Sequence, residues 1–415
     1  MEMNTESARK LARASLTACW LMAAGQAEAV PAQLKGEFTP SAQHPGNTTF
    51  TITSISGQVC TAQPSACDNR KSLYIPGRVQ TADPVTANHP FPRQGLTLKI
   101  ASDWRDVTVS HDTTGETRQL QLRLLGIGGQ LQLGQSVTTL TGIPNVDAAH
   151  SAVWNRGGLD IAPAPCTGGY SQVLNATRIR FLWMAPVSAD CAKQSAFNIP
   201  SLMLAPLEAV YEVRTPTPLS MASGQWTGAY LYTVGPGMDF DFGDNFGRFD
   251  QYLHVMVTLT VAHQLRAVFP PGADHLALEP EGGWIAWLNG GRRPERIMRD
   301  QPFRFTSSGP LQMRLECQYS MAGNCAINNP DGHSVAVETR ITLPAGIRES
   351  TGGAVSNTLL SDLTALDTAS DLYVADQPGL LHFEVGRADV AAMLRYPDTT
   401  YSGNVTVLWD SALSP

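Results

Sequence analysis

Residues Leu253 to Phe269 read LHVMVTLTVAHQLRAVF. The odd positions Leu253, Val255, Val257, Leu259, Val261, Leu265, Ala267 and Phe269 are apolar, with His263 the one exception. Thr258, Thr260, Gln264 and Arg266 stand at even positions. A period of two over this length marks a strand with one face in a core and one in water. Long alternating strands with no helical pattern between them build sandwiches, not βαβ sheets.

The neighbouring sequence repeats the signal. Gly224 to Val234, Phe303 to Tyr319 and Val335 to Leu343 read as strands. So do Phe50 to Ser56, Leu96 to Ser102, Val107 to Ser110, Arg118 to Ile127 and Ile179 to Pro186. Turn-forming clusters separate them, such as His111-Asp112-Thr113-Thr114-Gly115 and Asn155-Arg156-Gly157-Gly158. No stretch of ten residues holds a 3.6-residue period, and only Ala388 to Leu394 suggests a helical turn or two. The chain reads as all-β. Its 36 glycines and 28 prolines supply the turns this requires.

With 415 residues, 43% hydrophobic and 16% charged, the chain exceeds one ordinary sandwich and has apolar content for two cores. Thr215-Pro216-Thr217-Pro218 alternates proline, which removes N–H donors and keeps the chain extended, so it serves as a stiff joint. The expected domains are 30–214 and 215–415, after a leader of residues 1–29. In that leader Arg9, Lys10 and Arg13 precede an apolar core from Ala14 to Gly25, and Ala27-Glu28-Ala29 offers a small-x-small cleavage site. Cys19 lies inside it. Six cysteines remain, in three local clusters, and the expected bridges are Cys60–Cys67, Cys166–Cys191 and Cys317–Cys325. Such pairs suit an oxidising compartment such as a bacterial periplasm.

A net charge of −7 disfavours nucleic acid as a partner. The arginines 292, 293, 296, 299, 304 and 314 read as solvated strand edges that discourage aggregation. No Gly-x-Ser-x-Gly elbow, His-Glu-x-x-His motif or phosphate loop is present, and the histidines are scattered. Asp239-Phe240-Asp241-Phe242-Gly243-Asp244-Asn245 is rich in carboxylates but lacks the glycine and closing glutamate of a calcium loop, so a capped turn is the expectation. Neither metal nor cofactor is expected, and no enzyme activity. Glu279, Glu281, Trp284 and Trp287 keep a secreted carbohydrate-active enzyme or carbohydrate-binding module as the alternative.

The block from Trp226 to Asn289, with WTGAYLYTVGPGMDFDFGDNF and LEPEGGWIAWLNGGRRP around the alternating run, resembles the C-terminal pilin domain of tip subunits of chaperone–usher fimbriae. The likeness is to tip adhesins of the alpha (class 5, colonisation-factor) group and to cable-pilus initiators. Upstream it rests on Cys166-Thr167-Gly168-Gly169-Tyr170, Phe181-Leu182-Trp183, Cys191 and Asn198-Ile199-Pro200. The resemblance implies two immunoglobulin-like sandwiches in tandem, the second lacking its last strand. Its groove would lie along the closing alternation Tyr401, Val405, Val407 and Trp409, with Val257 and Leu259. A periplasmic chaperone, working with an outer-membrane usher, would fill that groove until the donor strand of the next pilin replaced it. Many pilins carry a penultimate aromatic, where this chain has Ser414-Pro415. Residues Val30 to Thr49, broken by Pro31, Pro40, Pro45 and Gly36, make a poor donor, as befits a subunit that ends a fibre at the cell surface. The first domain would then face a host or surface glycan. Aromatic faces and arginines recognise sugars, which nominates Trp104, Arg105, Trp154, Arg156 and Tyr170.

Overall fold

The computed structural model describes residues 31–54, 57–247 and 252–411. The leader and the Ser414-Pro415 end lie outside the described residues. Strands dominate, and each α-helix among the described residues has seven residues or fewer. None of these helices is long and apolar enough to cross a membrane. Cys60–Cys67, Cys166–Cys191 and Cys317–Cys325 are disulfide-bonded.

Two large hydrophobic cores divide the chain, with a small third cluster around the Cys60–Cys67 bridge in the first unit. The first runs from Ala32 to Val261, and the second takes its fully buried residues from Ile297 to Val390. The first unit is built on an eleven-stranded sheet. Its longest strand, Thr117–Leu133, pairs along one side with Leu202–Arg214. Along the other side it pairs first with Arg105–His111 and then with Arg178–Met184. Gly128 and Gly129 sit where the strands crowd this segment. A Cβ on either would come within 2.1 Å of a neighbouring carbonyl oxygen, and Gly129 has φ +141°. Only glycine fits there.

The alternating run that opens the sequence is two strands in two units. Tyr252–Val261 buries Leu253, Val255, Val257, Leu259 and Val261 in the first core. Leu265–Val268 begins the second unit, with Leu265 and Ala267 packed against the second core. The division therefore falls at Ala262-His263-Gln264, and the expected boundary at 214/215 is corrected. Pro216 and Pro218 lie inside the first unit, where Pro218 opens the short 3-10 turn Pro218–Ser220. Leu219 and Met221 are buried in its core, and Gly224–Thr233 and Tyr252–Val261 return to the same sheet. Proline interrupts a hydrogen-bonding ladder but does not by itself end a core.

The first strand, Ala32–Phe38, runs through Gly36, which the sequence reading took as a break. It buries every other residue and runs parallel to Tyr252–Val261, from Ala32 opposite Val255 to Phe38 opposite Val261. Prolines 31 and 40 flank the strand without entering it. This segment is already used at home, closing the edge of its own unit.

The second unit pairs a seven-stranded sheet with a four-stranded one. The first of these orders Leu265–Val268, Ile297–Ser307, Val374–Val385, Ser334–Thr342, Asn324–Asn328 and Ser320–Met321, with Thr358–Leu359 on Ser334–Thr342. The other orders Ile347–Glu349, Leu366–Ser370, Leu311–Cys317 and the closing strand Val405–Asp410.

Candidate functional site

The closing strand Val405–Asp410 is the last in its sheet. It pairs antiparallel with Leu311–Cys317, from Gln312 opposite Asp410 to Cys317 opposite Val405, and no described strand pairs with its other side. Beside that open edge lies a groove of about 1530 Å³. The seven-stranded sheet contributes Ile297, Val337, Leu381 and Phe383 to its lining, with the buried polar Gln301. The closing strand contributes Val405, Val407 and Trp409, and the segment between Leu265–Val268 and Ile297–Ser307 contributes Phe269, Leu276, Leu278, Trp284 and Trp287.

Burial shows what the groove lacks. On the neighbouring strand Leu311, Met313 and Leu315 are at most 2% exposed, whereas Val405, Val407 and Trp409 are only half-buried. Trp409 packs its ring against Phe303 and Phe305, with centroids 5.6 and 5.5 Å away, and its remaining surface faces the groove. Complete burial of such a side chain is worth about 1.5–3 kcal/mol, so each half-covered one leaves on the order of 1 kcal/mol unrealised. An open strand edge also presents main-chain groups that another strand can satisfy.

The first unit supplies the contrast. Its last strand, Tyr252–Val261, has Gly224–Thr233 on one side and Ala32–Phe38 on the other. Its inward residues are 5% exposed or less. Among the described residues, the last strand of the second unit has no such cover on its outer side. Val257 and Leu259, expected at the groove, belong instead to this closed core and are fully buried, opposite Leu34 and Gly36. Tyr401 does line the groove. Its hydroxyl meets His333 Nδ1 at 2.9 Å, and burial together with Tyr396 and Asp331 raises its pKa.

The groove lining includes a feature that sequence reasoning missed. The short helix Ile285–Leu288 is flanked by Gly282, Gly283 and Gly290, all with φ near +80°. Trp284 and Trp287 line the groove, while Ile285 and Leu288 are over 70% exposed. Glu279 and Glu281 are both exposed, and Glu281 lies 3.6 Å from Arg296.

The receptor candidates of the first unit do not form one cluster. Trp154 is 3% exposed and belongs to the core, which corrects its nomination as a sugar platform. Arg156 is exposed, at φ +61° before Gly157. Tyr170 is half-buried against the Cys60–Cys67 bridge, Leu182 and Val210. Arg105 is held by Asp239 at 3.1 Å. Trp104 is half-buried, and the guanidinium groups of Arg214 and Arg123 lie 4.0 and 4.5 Å from its ring centre. Arg123 is in turn hydrogen-bonded to Glu212, whose pKa is lowered chiefly by that bond. Trp104, Arg156 and Tyr170 share no hydrogen bond, ion pair or ring contact among the described residues.

The carboxylate-rich segment 239–245 is a braced turn. Asp239 accepts from Thr233 and Arg105. Asp241, 1% exposed, accepts from both Gly237 N–H and Gly243 N–H and takes a two-pronged bond from Arg93. Burial opposes its charge, but these donors together hold it below the usual carboxylate range. Asp190 and Asp244 complete the ring around Arg93.

The fold and site define a class: an all-β protein of two tandem sandwiches, the first closed by its own N-terminal strand and the second open beside its last strand. Neither protein-family models nor curated proteins yield a match. Among solved structures, the chain aligns with CfaE, the adhesive subunit of CFA/I fimbria of enterotoxigenic Escherichia coli. That alignment has 9% identity and a TM-score of 0.24, covering 92% of each chain. A chain from a chaperone–tip adhesin complex of CFA/I fimbriae biogenesis aligns at 11% identity and TM-score 0.25, covering 92% of this chain and 96% of the other. One from the CsuC–CsuE chaperone–tip adhesion subunit complex of archaic Csu pili of Acinetobacter baumannii aligns at 10% and 0.20, covering 92% and 99%. At these scores the likenesses are similarities only, and the site stands on its own geometry.

Proposed function

We propose that the chain is the tip subunit of a chaperone–usher fimbria, attached to the fibre by a β-strand it receives from another protein. One observation carries this reading: the second unit has an apolar groove beside its last strand, whose outer edge no described strand pairs, while the last strand of the first unit is flanked on both sides. A strand laid along Val405–Trp409 would gain main-chain hydrogen bonds from that edge. Alternate side chains would enter the groove over Leu381 and Phe383. A periplasmic chaperone would supply the strand during export, an outer-membrane usher would exchange partners, and the next pilin would supply the permanent donor. Ala32–Phe38 is paired within its own unit, which suits a subunit at the end of a fibre. Three disulfides suit the oxidising route to the cell surface.

The first unit would make the adhesive contact with a surface glycan. Trp104 is the better of the remaining nominations, because the guanidinium groups of Arg214 and Arg123 over its ring hold it in place. Arg156 is the second. No enzymatic role is proposed.

The test is expression of the full chain alone, with the chaperone encoded beside it, and with an alternating Val–Thr segment fused through a flexible linker after Pro415. The chain alone should aggregate, and either partner should make it soluble and resistant to protease. Equal solubility in all three arms would contradict the reading. A soluble lone chain that hydrolyses polysaccharide, and loses that activity on Glu281→Gln, would establish the carbohydrate-active alternative.

A further inference from the structure

The polar residue that breaks the alternation at an inward position sits at the single covalent crossing between the two units. His263 Nε2 lies 2.8 Å from the carbonyl oxygen of Met221, in the first unit. Its Nδ1 lies 3.0 Å from Ser308 Oγ, in the second. A carbonyl oxygen can only accept, so Nε2 carries the proton and Nδ1 accepts from the Ser308 hydroxyl. That hydroxyl oxygen already accepts the Gln264 N–H at 2.9 Å. The His263 N–H is taken by Ser223 Oγ at 3.1 Å. Gly309 packs so closely on the ring that a Cβ there would lie 2.4 Å from it. Every polar atom of the ring is thus spent on holding one unit against the other.

We propose that His263 is a protonation-sensitive pin that fixes the orientation of the first unit on the second, and that acid loosens it. The proposal stands apart from the strand-accepting reading. Protonation places an N–H on Nδ1, facing Ser308 Oγ. The Ser308 hydroxyl hydrogen then loses its acceptor in a residue that is fully buried. The positive ring gains no countercharge. Across the cleft from Leu219, Ser220 and Pro310 stand Asp367, Asp371 and Arg348, the last two paired at 3.0 Å. His111 holds the Ser223 carbonyl at 2.9 Å, with Asp112 3.7 Å from that ring. Arg118 reaches the Ser220 carbonyl at 3.2 Å and is paired with Glu116. The Tyr373 hydroxyl donates to Gln264 Oε1 at 2.7 Å. None of these carboxylates touches the His263 ring. Burial lowers the His263 pKa from its ordinary 6.5, against smaller raising effects from the Met221 and Pro218 carbonyls. The pin is therefore engaged at neutral pH, and loosening sets in only below 6.5.

Small-angle X-ray scattering of the full-length protein between pH 7.5 and 4.5 tests this. The profile should change toward a broader distribution of shapes with a midpoint below 6.5. The change should vanish in His263→Gln, whose amide can donate to Met221 and accept from Ser308 without titrating, and persist in His111→Gln. Superimposable profiles across the range, or a His263→Gln profile that changes like the parent's, would overturn it. Should His263→Gln fail to fold, imidazole NMR of the parent decides. A ring protonated at Nε2 and titrating below 6.5 supports the pin, and one titrating at or above 6.5 refutes it.

Discussion

Replacing Trp409 by Ala should weaken the grip on a received strand more than it weakens the protein alone. Full enclosure of a tryptophan makes its truncation cost about 3–5 kcal/mol. Here the ring touches Phe303 and Phe305 on one side and faces the groove on the other, so about half of that, ~2 kcal/mol, applies to the open protein. An inserted strand covers the exposed part, so truncation then incurs nearly the full cost. The difference, roughly 1.5–2 kcal/mol, corresponds to about a 10- to 30-fold loss of affinity for the donor segment. Leu259→Ala is the control, because Leu259 is fully buried in the first unit whether or not a strand is bound. It should cost about 2–5 kcal/mol equally in both states. Denaturant unfolding, with and without the fused donor segment, measures the four values, provided the transitions of the two units are resolved. Equal losses for Trp409→Ala in the open and filled forms would refute the reasoning, because the ring would then gain no neighbour on filling.

Removing the Cys166–Cys191 bridge, which spans a sequence separation of 25, should destabilise the first unit by about 3–4 kcal/mol, read as a lower denaturation midpoint for that unit alone. Asp241→Ala should cost about 3 kcal/mol, since it strips Arg93 of its most buried partner and leaves two glycine N–H groups without an acceptor; hydrogen exchange should localise the opening to residues 233–245. His150 is 1% exposed, and burial lowers its pKa against the opposing effects of the Asn175 carbonyl and Asp147. The unfolded chain therefore takes up a proton near 6.5, before the folded one does. The contribution of His150 to stability is complete above 6.5 and is lost as pH falls from there through the folded value, a dependence that His150→Gln should remove. Trp104→Ala should abolish glycan-array binding by the protein while shifting its melting temperature only slightly, whereas Trp154→Ala should unfold the first unit.

The alternation in Leu253–Phe269 made strands legible, because a half-buried strand writes its two faces into the sequence. It could not say which core each face joins. Val261 and Leu265 continue one pattern yet lie in different units, since a period of two records burial and not the neighbour. Prolines 216 and 218 misled for a related reason: they mark a turn, and turns occur within units as well as between them. The pairing of Ala32–Phe38 with Tyr252–Val261 joins segments more than 200 residues apart, and nothing local announces it. Close cysteines, by contrast, had few partners within reach. At the receptor candidates, adjacency in sequence suggested Trp104 with Arg105, but Arg105 turns to Asp239. Instead Arg123 and Arg214 come from two strands farther along the chain. His263 was visible as an inward polar residue in an apolar series. Its meaning needed the second unit, because one of the two hydrogen-bond partners of its ring lies there.

Amide hydrogen exchange at Val405 to Trp409 tests the central claim most directly, with the full-length protein measured before and after a donor segment is fused. The N–H groups on the side away from Leu311–Cys317 should exchange rapidly in the open protein and slow by about 100-fold or more when the donor is present. Amides that are already protected on both sides of that strand without any donor would mean the second sandwich is complete, and would contradict the account.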